Sequence, residues 1–536
     1  MKLQRNYIFP LIAICLAIFF INLDAIYINI MEARNFITAR EMLNDGNWIF
    51  TTMNGEPRYE KPPLPTWLTA VSMSLFGMEN LFALRLPAAV ATLILVLFFY
   101  FLVINVTGKK KFAWIASLIL MTSFYIIFSG RNGQWDIFAH AFMLPAIYFL
   151  YLFFTSEENT YKNAIFSAIF IGCSFLSKGP VSHYALLFPF LIAYGSVFRF
   201  KELGKKWKPL LILIILAIIT SGWWNLYVYL FDTHAVAKIT EKETGRWLDY
   251  NVRPFYYYWS FFVHTGLWLL PAFIGLIYPY LKKRVFNKKV YKFALIWTLA
   301  AVILLSFIPE KKVRYLLPVF IPLALNTAFY LEYLFRNFRL NMPLRETWIV
   351  YFNFCLVALI GILFPIAGFF YFGNEIAQFP LWFALSAISL FVLGLAILNG
   401  LRKRKIENVF YLSIGFIISL IWFGLPMAKY INTNKDYKSI VNVKPLLKEK
   451  NLKLYEFRSF TPEIIWEYGE PIPVLHEEDP PPVEPSFYLL AQEGMEGMLQ
   501  DEFKDYHLKK VESFDMNPVS TTHKSRLYRN LYLLEK

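Results

Sequence analysis

Apolar runs of roughly 20 residues recur along the chain as far as Tyr430, each long enough to cross a hydrocarbon layer as a helix. They begin near residues 7, 81, 112, 137, 162, 181, 209, 261, 290, 315, 347, 379 and 409, which makes about 13 spans. A chain patterned in this way can fold only as a polytopic α-helical membrane protein, because in lipid the backbone must satisfy its own hydrogen bonds. Composition agrees. Of 536 residues only 17% are charged and 57% are hydrophobic, whereas a soluble domain carries roughly 25% charged residues.

The formal net charge of +15 does not point to nucleic acid. The basic residues sit in short loops between the apolar runs, at Gly108–Lys111, Lys282–Lys289 and Arg402–Lys405, as the positive-inside rule places them. Cys15, Cys173 and Cys355 all fall inside apolar runs, with no metal or disulfide spacing. The first run follows Lys2 and Arg5 but ends in INLDAIYINI without a small-residue cleavage site, so it reads as a retained span. With its N-terminus inside, the loops at 107–111, 199–208, 282–292, 336–346 and 401–406 fall on the cytoplasmic side. An odd span count then leaves the C-terminus outside.

Three outer segments follow, near 24–80, near 231–260 and at Pro309–Tyr315. The first predicts a helix from Glu32 to Gly46, with Gly46 as its C-terminal cap. A turn at Asn54–Pro57, a proline-stiffened YEKPPLPTW and a second apolar helix come next. After residue 429 the composition becomes charged. Strand-like runs at Leu452–Phe457 and Ser486–Ala491 predict a small α/β domain over 430–536, separate from the membrane domain 1–429.

Ionisable groups near a membrane interior are costly and usually functional. The outer segments hold Asp24, Glu32, Asp136 and Glu243 beside Arg34, Arg58, Lys61, Arg131, Lys178, Arg246, Lys312 and Arg314. Cations on that side call for an anion, and phosphate suits them, Arg offering a fork of donors and Lys a point charge. Lys61 is the most constrained, since each neighbouring proline fixes φ and restrains the residue before it. Asp136 also suits a helix N-cap, and Glu32 a first-turn carboxylate.

EARNFITAREML (32–43), NGEPRYEKPPLPTWL (54–68), FLSKGPV (175–181), KKVRYLLPVFIPLAL (311–325) and RNGQWDIF (131–138) resemble, in order, the motifs of a known family. It is the GT-C-fold lipid-linked-sugar glycosyltransferases, in the bacterial aminoarabinose transferase-like branch of the protein O-mannosyltransferase superfamily. The resemblance implies about 13 spans with an outer C-terminal α/β domain, and an inverting transfer from a polyprenyl-phosphate sugar at the outer face of the inner membrane. It implies that Arg58, Lys61, Arg131 and Lys178 hold the donor phosphate. Glu32, Asp136 or Asp24 would supply the catalytic carboxylate, directly or through a divalent metal held by Glu32, Asp136 and Glu243. Arg34, Arg246, Lys312, Arg314 and Tyr315 would complete the substrate site. The partners implied are the lipid donor, a lipid, glycan or protein acceptor and the surrounding lipids, and the chain is expected to act as a monomer.

The sequence departs from the family twice. Met31 stands where the family has Asp, and Glu243 where the aminoarabinose transferases have His. Two other classes therefore stay open. A lipid-linked-sugar flippase would place charges near the bilayer midplane. A catalytically inactive lipid-binding protein would need no carboxylate at position 31.

Overall fold

The computed structural model describes residues 7–200, 203–339, 342–477 and 479–536, except the side chains of 246–249. Lys2 and Arg5 lie outside the described residues. The N-terminal half runs α1 (Ile8–Phe19), α2 (Ile30–Asp45), α3 (Leu64–Phe76), α4 (Leu81–Thr107), α5 (Lys110–Met121), α6 (Phe124–Gly130), α7 (Asp136–Thr155), α8 (Thr160–Lys178), α9 (Phe188–Val197), α10 (Trp207–Phe231) and α11 (Thr233–Asp249).

Among the described residues, eight helices are long and apolar enough to cross a membrane, and nine if the 69° bend between α5 and α6 lies within one span. The run at 7 yields the shorter α1, and the run at 181 yields a π-turn leading into α9. The run at 162 forms α8, which does not reach the length and apolarity of the eight. The run at 261 is broken by Gly266, whose φ of 68° no helix contains. Of the 13 runs expected to span, eight, or nine with the bent pair, are long and apolar enough among the described residues.

The spans differ in how much they bury. The helix over Val313–Asn337 and α7 are mostly enclosed, whereas the helices over Leu203–Phe231 and Pro380–Arg402 leave most of their surface outward, as lipid-facing helices do. The basic loops meet one another. Lys111 pairs with Glu407 at 2.7 Å, Lys109 lies 3.7 Å over the Phe286 ring, and Arg284 pairs with Glu346 at 3.1 Å.

On the other side, the first long connection folds as its residues predict. Asn29 caps α2, its side chain accepting from the Met31 and Glu32 amides, and Gly46 closes the helix in the left-handed region at φ 75°. Asn54 and Gly55, both at positive φ, turn the short hairpin of β1 (Thr52–Met53) and β2 (Glu56–Pro57). The prolines then lead into α3.

The C-terminal unit is a five-stranded sheet of β3 (Leu454–Phe457), β4 (Val474–Leu475), β5 (Ser486–Gln492), β6 (His507–Asp515) and β7 (Tyr528–Glu535), in the order β4-β3-β5-β7-β6. β3 is parallel to β4 and β5, and β7 runs antiparallel to β5 and β6. β5 is buried over five consecutive residues, as a central strand covered on both faces must be. A short helix, Pro462–Tyr468, rests this domain on α2.

Candidate active site

Asp136 opens α7 and Lys178 closes α8, and their side chains form a buried ion pair. α7 and α8 pack along their lengths, so the pair is held by two helix ends rather than by loops. Gly179, at φ 69°, turns the chain away directly after Lys178. The Lys178 ammonium lies 5.2 Å over the Tyr315 ring.

Three further segments converge on the pair. The first brings Arg58, buried and 4.6 Å over the Trp135 ring, donating to the Arg34 carbonyl at 3.0 Å and the Thr38 hydroxyl at 2.8 Å. Burial and the neighbouring Arg34 pull its pKa down to about 10, with Glu60 opposing them. Lys61 follows, and burial with the nearby Lys178 and Arg58 charges lowers its pKa to about 8, against the pull of Glu243 and Glu60. Burial is the largest cause of this shift, and the cations beside Lys61 add to it.

The second segment is Glu310–Tyr315. Lys312 pairs with Glu310 at 2.5 Å and lies 4.9 Å over Tyr250, and Arg314 lies 5.8 Å from the Tyr315 ring and acts electrostatically on Asp136. Among the described residues the Arg314 Nε is buried without a hydrogen-bond partner. The third segment, 250–258, is stitched to this one. Val252 bridges Glu310, the Lys311 ammonium donates to the carbonyls of Arg253 and Ile308, and the Tyr258 hydroxyl accepts from the Lys312 amide at 3.0 Å. Beside Tyr59 an apolar groove of about 330 Å³ opens, lined by Trp224, Val228, Val236 and Ile239.

The site therefore gathers Asp136, Lys178, Arg58, Lys61, Lys312, Arg314 and Tyr315, with the Arg34 backbone bound by Arg58. Three of the residues expected from the sequence stand elsewhere. Glu32 is fully buried and its carboxylate is spent: it accepts from Arg85 at 2.6 and 2.9 Å, from the Gly133 amide at 2.9 Å and from Asn29. Arg131 donates to the carbonyls of Ile18, in the last turn of α1, and of Ile21 and Asn22, just beyond it, rather than facing the pair. Asp24 lies half-exposed in an ion pair with Lys429, which lowers its pKa. The Arg246 side chain lies outside the described residues.

The expected metal ligands do not fit one ion. Glu32 is committed to Arg85 and Asp136 to Lys178, and among the described residues no three His, Cys, Asp or Glu side chains converge. Arg85 is the residue that sequence reasoning missed. An arginine inside the apolar run of α4 was the available signal. It also donates to the carbonyls of Leu23, Ile26 and Tyr27.

Residues 60–224, which include Lys61, Asp136 and Lys178, match the dolichyl-phosphate-mannose-protein mannosyltransferase family. An uncharacterized protein of Aquifex aeolicus is 26% identical over 79% of each chain. The undecaprenyl phosphate-alpha-4-amino-4-deoxy-L-arabinose arabinosyl transferase of Pectobacterium atrosepticum is 24% identical over 81% of this chain and 78% of its own. The corresponding transferase of Shewanella sediminis is 26% identical over 55% of this chain, and that match spans about half of the relative's length. The crystal structure of ArnT from Cupriavidus metallidurans bound to undecaprenyl phosphate superposes with a TM-score of 0.71 at 17% identity, covering 98% of both chains. The chain therefore has the GT-C fold, and over residues 60–224 it resembles the dolichyl-phosphate-mannose-protein mannosyltransferases.

Proposed function

We propose that this chain transfers a sugar from a polyprenyl-phosphate donor to an envelope acceptor, working from the outer face of a bacterial inner membrane. The observation that carries this reading is the cluster of cations around Asp136–Lys178, with an apolar groove opening beside Tyr59. A lipid phosphate needs both halves: Arg58, Lys61, Lys178, Lys312 and Arg314 for the head, and Tyr59, Trp224 and Val228 for the first part of the tail.

In the reaction the acceptor atom bonds to the anomeric carbon from the face opposite the phosphate. The anomeric carbon–oxygen bond breaks and its electron pair leaves with the polyprenyl phosphate. Cations fixed at the leaving group stabilise the charge it gains. Asp136 holds Lys178 in place and, where the acceptor is a hydroxyl, takes its proton. A phosphate acceptor needs no such base. The acceptor is a lipid A-like glycolipid, another lipid, a glycan or a protein, and the enzyme works as a monomer with its C-terminal domain outside.

A non-catalytic lipid-phosphate binder is the second reading, favoured by Met31 and by the committed Glu32 carboxylate. Two measurements separate the readings. The purified chain should bind undecaprenyl phosphate, and a deletion strain should lose one sugar mass from an envelope lipid or glycoprotein. Binding with an unchanged envelope supports the second reading. Neither binding nor a mass change overturns both. A reporter fused after Tyr430 that reads as cytoplasmic would overturn the topology.

A further inference from the structure

Helix α2 lies between the C-terminal domain and the segment that leads into Asp136, and its side chains are divided between the two. Towards Asp136 it grips Gly133 from three directions. Glu32 accepts from the Gly133 amide at 2.9 Å, Asn35 donates to the Gly133 carbonyl at 2.8 Å, and the Phe36 ring lies 2.5 Å from where a Cβ on residue 133 would stand. Only glycine lets α2 approach this closely. Gly133 is three residues ahead of Asp136, so its placement sets where α7 begins.

Towards the C-terminal domain, the buried Arg40 guanidinium donates to the carbonyls of Ile465 and Trp466, both at 3.0 Å, and lies 5.3 Å over the Trp466 ring. Trp466 meets Phe36 edge to face at 5.5 Å. Asn54, whose amide donates to Glu41, exchanges two 2.8 Å hydrogen bonds with Ile472. Packed side chains thus run from Trp466 through Phe36 to Gly133. Apolar contact alone would hold a docked domain. A forked guanidinium on two carbonyls also fixes the rotation of α2, because hydrogen bonds are directional and packed interiors transmit strain.

We infer that the C-terminal domain positions the Asp136–Lys178 pair through α2, with Trp466 and Arg40 as positioning residues. The kinetic test rests on the transfer reaction proposed above, and the exchange test does not. In the full-length chain Trp466→Ala should lower kcat by about tenfold to a hundredfold, as a small misplacement of reacting groups does, with KM for the donor little changed. Trp466→Phe, which keeps an edge for Phe36, should restore most of the rate. Arg40→Gln should behave like Trp466→Ala, and Arg40→Lys should recover part.

Leu489→Ala is the control. Leu489 is fully buried in a cluster of the C-terminal domain that contains no residue of α2, so it should lower the domain's stability and leave kcat within about twofold. Hydrogen exchange of the Gly133 amide reads the coupling without turnover. It should quicken in Trp466→Ala and in Arg40→Gln and stay unchanged in Leu489→Ala. Unchanged kcat and unchanged Gly133 exchange in the two α2-contact variants would overturn the inference, as would equal losses in Leu489→Ala. A wild-type chain that transfers no sugar, yet shows the exchange pattern, would instead count against the proposed reaction alone. Should Trp466→Ala fail to fold, Trp466→Leu gives the same reading, since it keeps bulk without the aromatic edge.

Discussion

Two buried acid–base pairs meet the 131–136 segment, one through the Gly133 amide and one through Asp136, and they are built in opposite ways. Glu32–Arg85 is closed. The carboxylate accepts from Arg85, Asn29 and Gly133, and the guanidinium also donates to three backbone carbonyls. Asp136–Lys178 is open. Among the described residues Lys178 is the hydrogen-bond donor to Asp136, and the groups around the pair include Arg314, Lys312, His140 and the Tyr315 ring. Burial is alike in the two and does not separate them. A buried pair whose every donor and acceptor is matched holds structure, because losing one partner strands a charge. A pair whose neighbours Lys312 and Arg314 add further positive charge beside Lys61 suits an anion.

The strongest way to break this comparison is to neutralise the open pair. Asp136→Asn and Lys178→Ala should each cut turnover by on the order of 10²–10³ or more, the range for removing one charge-stabilising or proton-transferring group. Both proteins should lose less stability than variants of Glu32–Arg85, because fewer hydrogen bonds hold this pair. The check is turnover beside thermal unfolding in detergent. Near-normal turnover in both would mean that this pair, too, is only structural.

The closed pair should behave in the reverse manner. Glu32→Gln or Arg85→Met should destabilise the protein by about 3–5 kcal/mol, the usual loss when one member of a buried pair is removed. The joint Glu32→Gln, Arg85→Met variant should cost less than the two single losses combined. If Glu32→Gln instead stays fully stable and loses all turnover, Glu32 is a catalytic group after all.

Lys61 sharpens the comparison through pH. Its pKa stands at about 8, below the ordinary 10.5, so the free site loses this charge as pH rises through about 8. Affinity for undecaprenyl phosphate should fall above that pH, and Lys61→Arg, which keeps its charge, should flatten the profile. Folding stability should move the other way. Between about 8 and 10.5 the unfolded chain binds more protons at this residue than the folded one, so stability rises with pH across that window. Lys61→Ala should weaken lipid-phosphate binding by roughly 1.5–3 kcal/mol, the worth of a hydrogen bond to a charged group. A pH-independent affinity would show that Lys61 does not touch the phosphate.

Local chemistry made much of the fold legible from the sequence. The Gly46 cap, the Asn54–Gly55 turn, the proline-led entry to α3 and the two strand-like runs of the C-terminal domain are each set by residues next to one another. The gathering of Lys61, Asp136 and Lys178 followed from family motifs and from cations on an outer face. The division of labour was not legible, because it is decided across the chain. Glu32 meets an arginine 53 positions away, and Arg131 meets carbonyls exposed only because α1 ends where it does. Nor does hydropathy record a single left-handed glycine, so the break at Gly266 inside an apolar run passed as a span.

The smallest expected effect concerns Met31, where the family has Asp. Met31 sits in the first turn of α2 with its amide held by the Asn29 side chain at 2.9 Å, and its side chain is partly exposed. A carboxylate there faces the positive end of the helix, so Met31→Asp should stabilise the protein by about 0.3–1 kcal/mol. Its effect on rate should stay under about tenfold, or 1.4 kcal/mol of barrier, because the open pair already supplies a carboxylate at the pocket. Turnover and melting temperature of this one variant decide between two accounts of the site. A gain well beyond tenfold would mean that position 31, not Asp136, is where the reaction needs its negative charge, and that this chain is a weakened form of the transferases it resembles. A small change in rate with a small gain in stability fits a site whose chemistry is carried by Asp136 and Lys178.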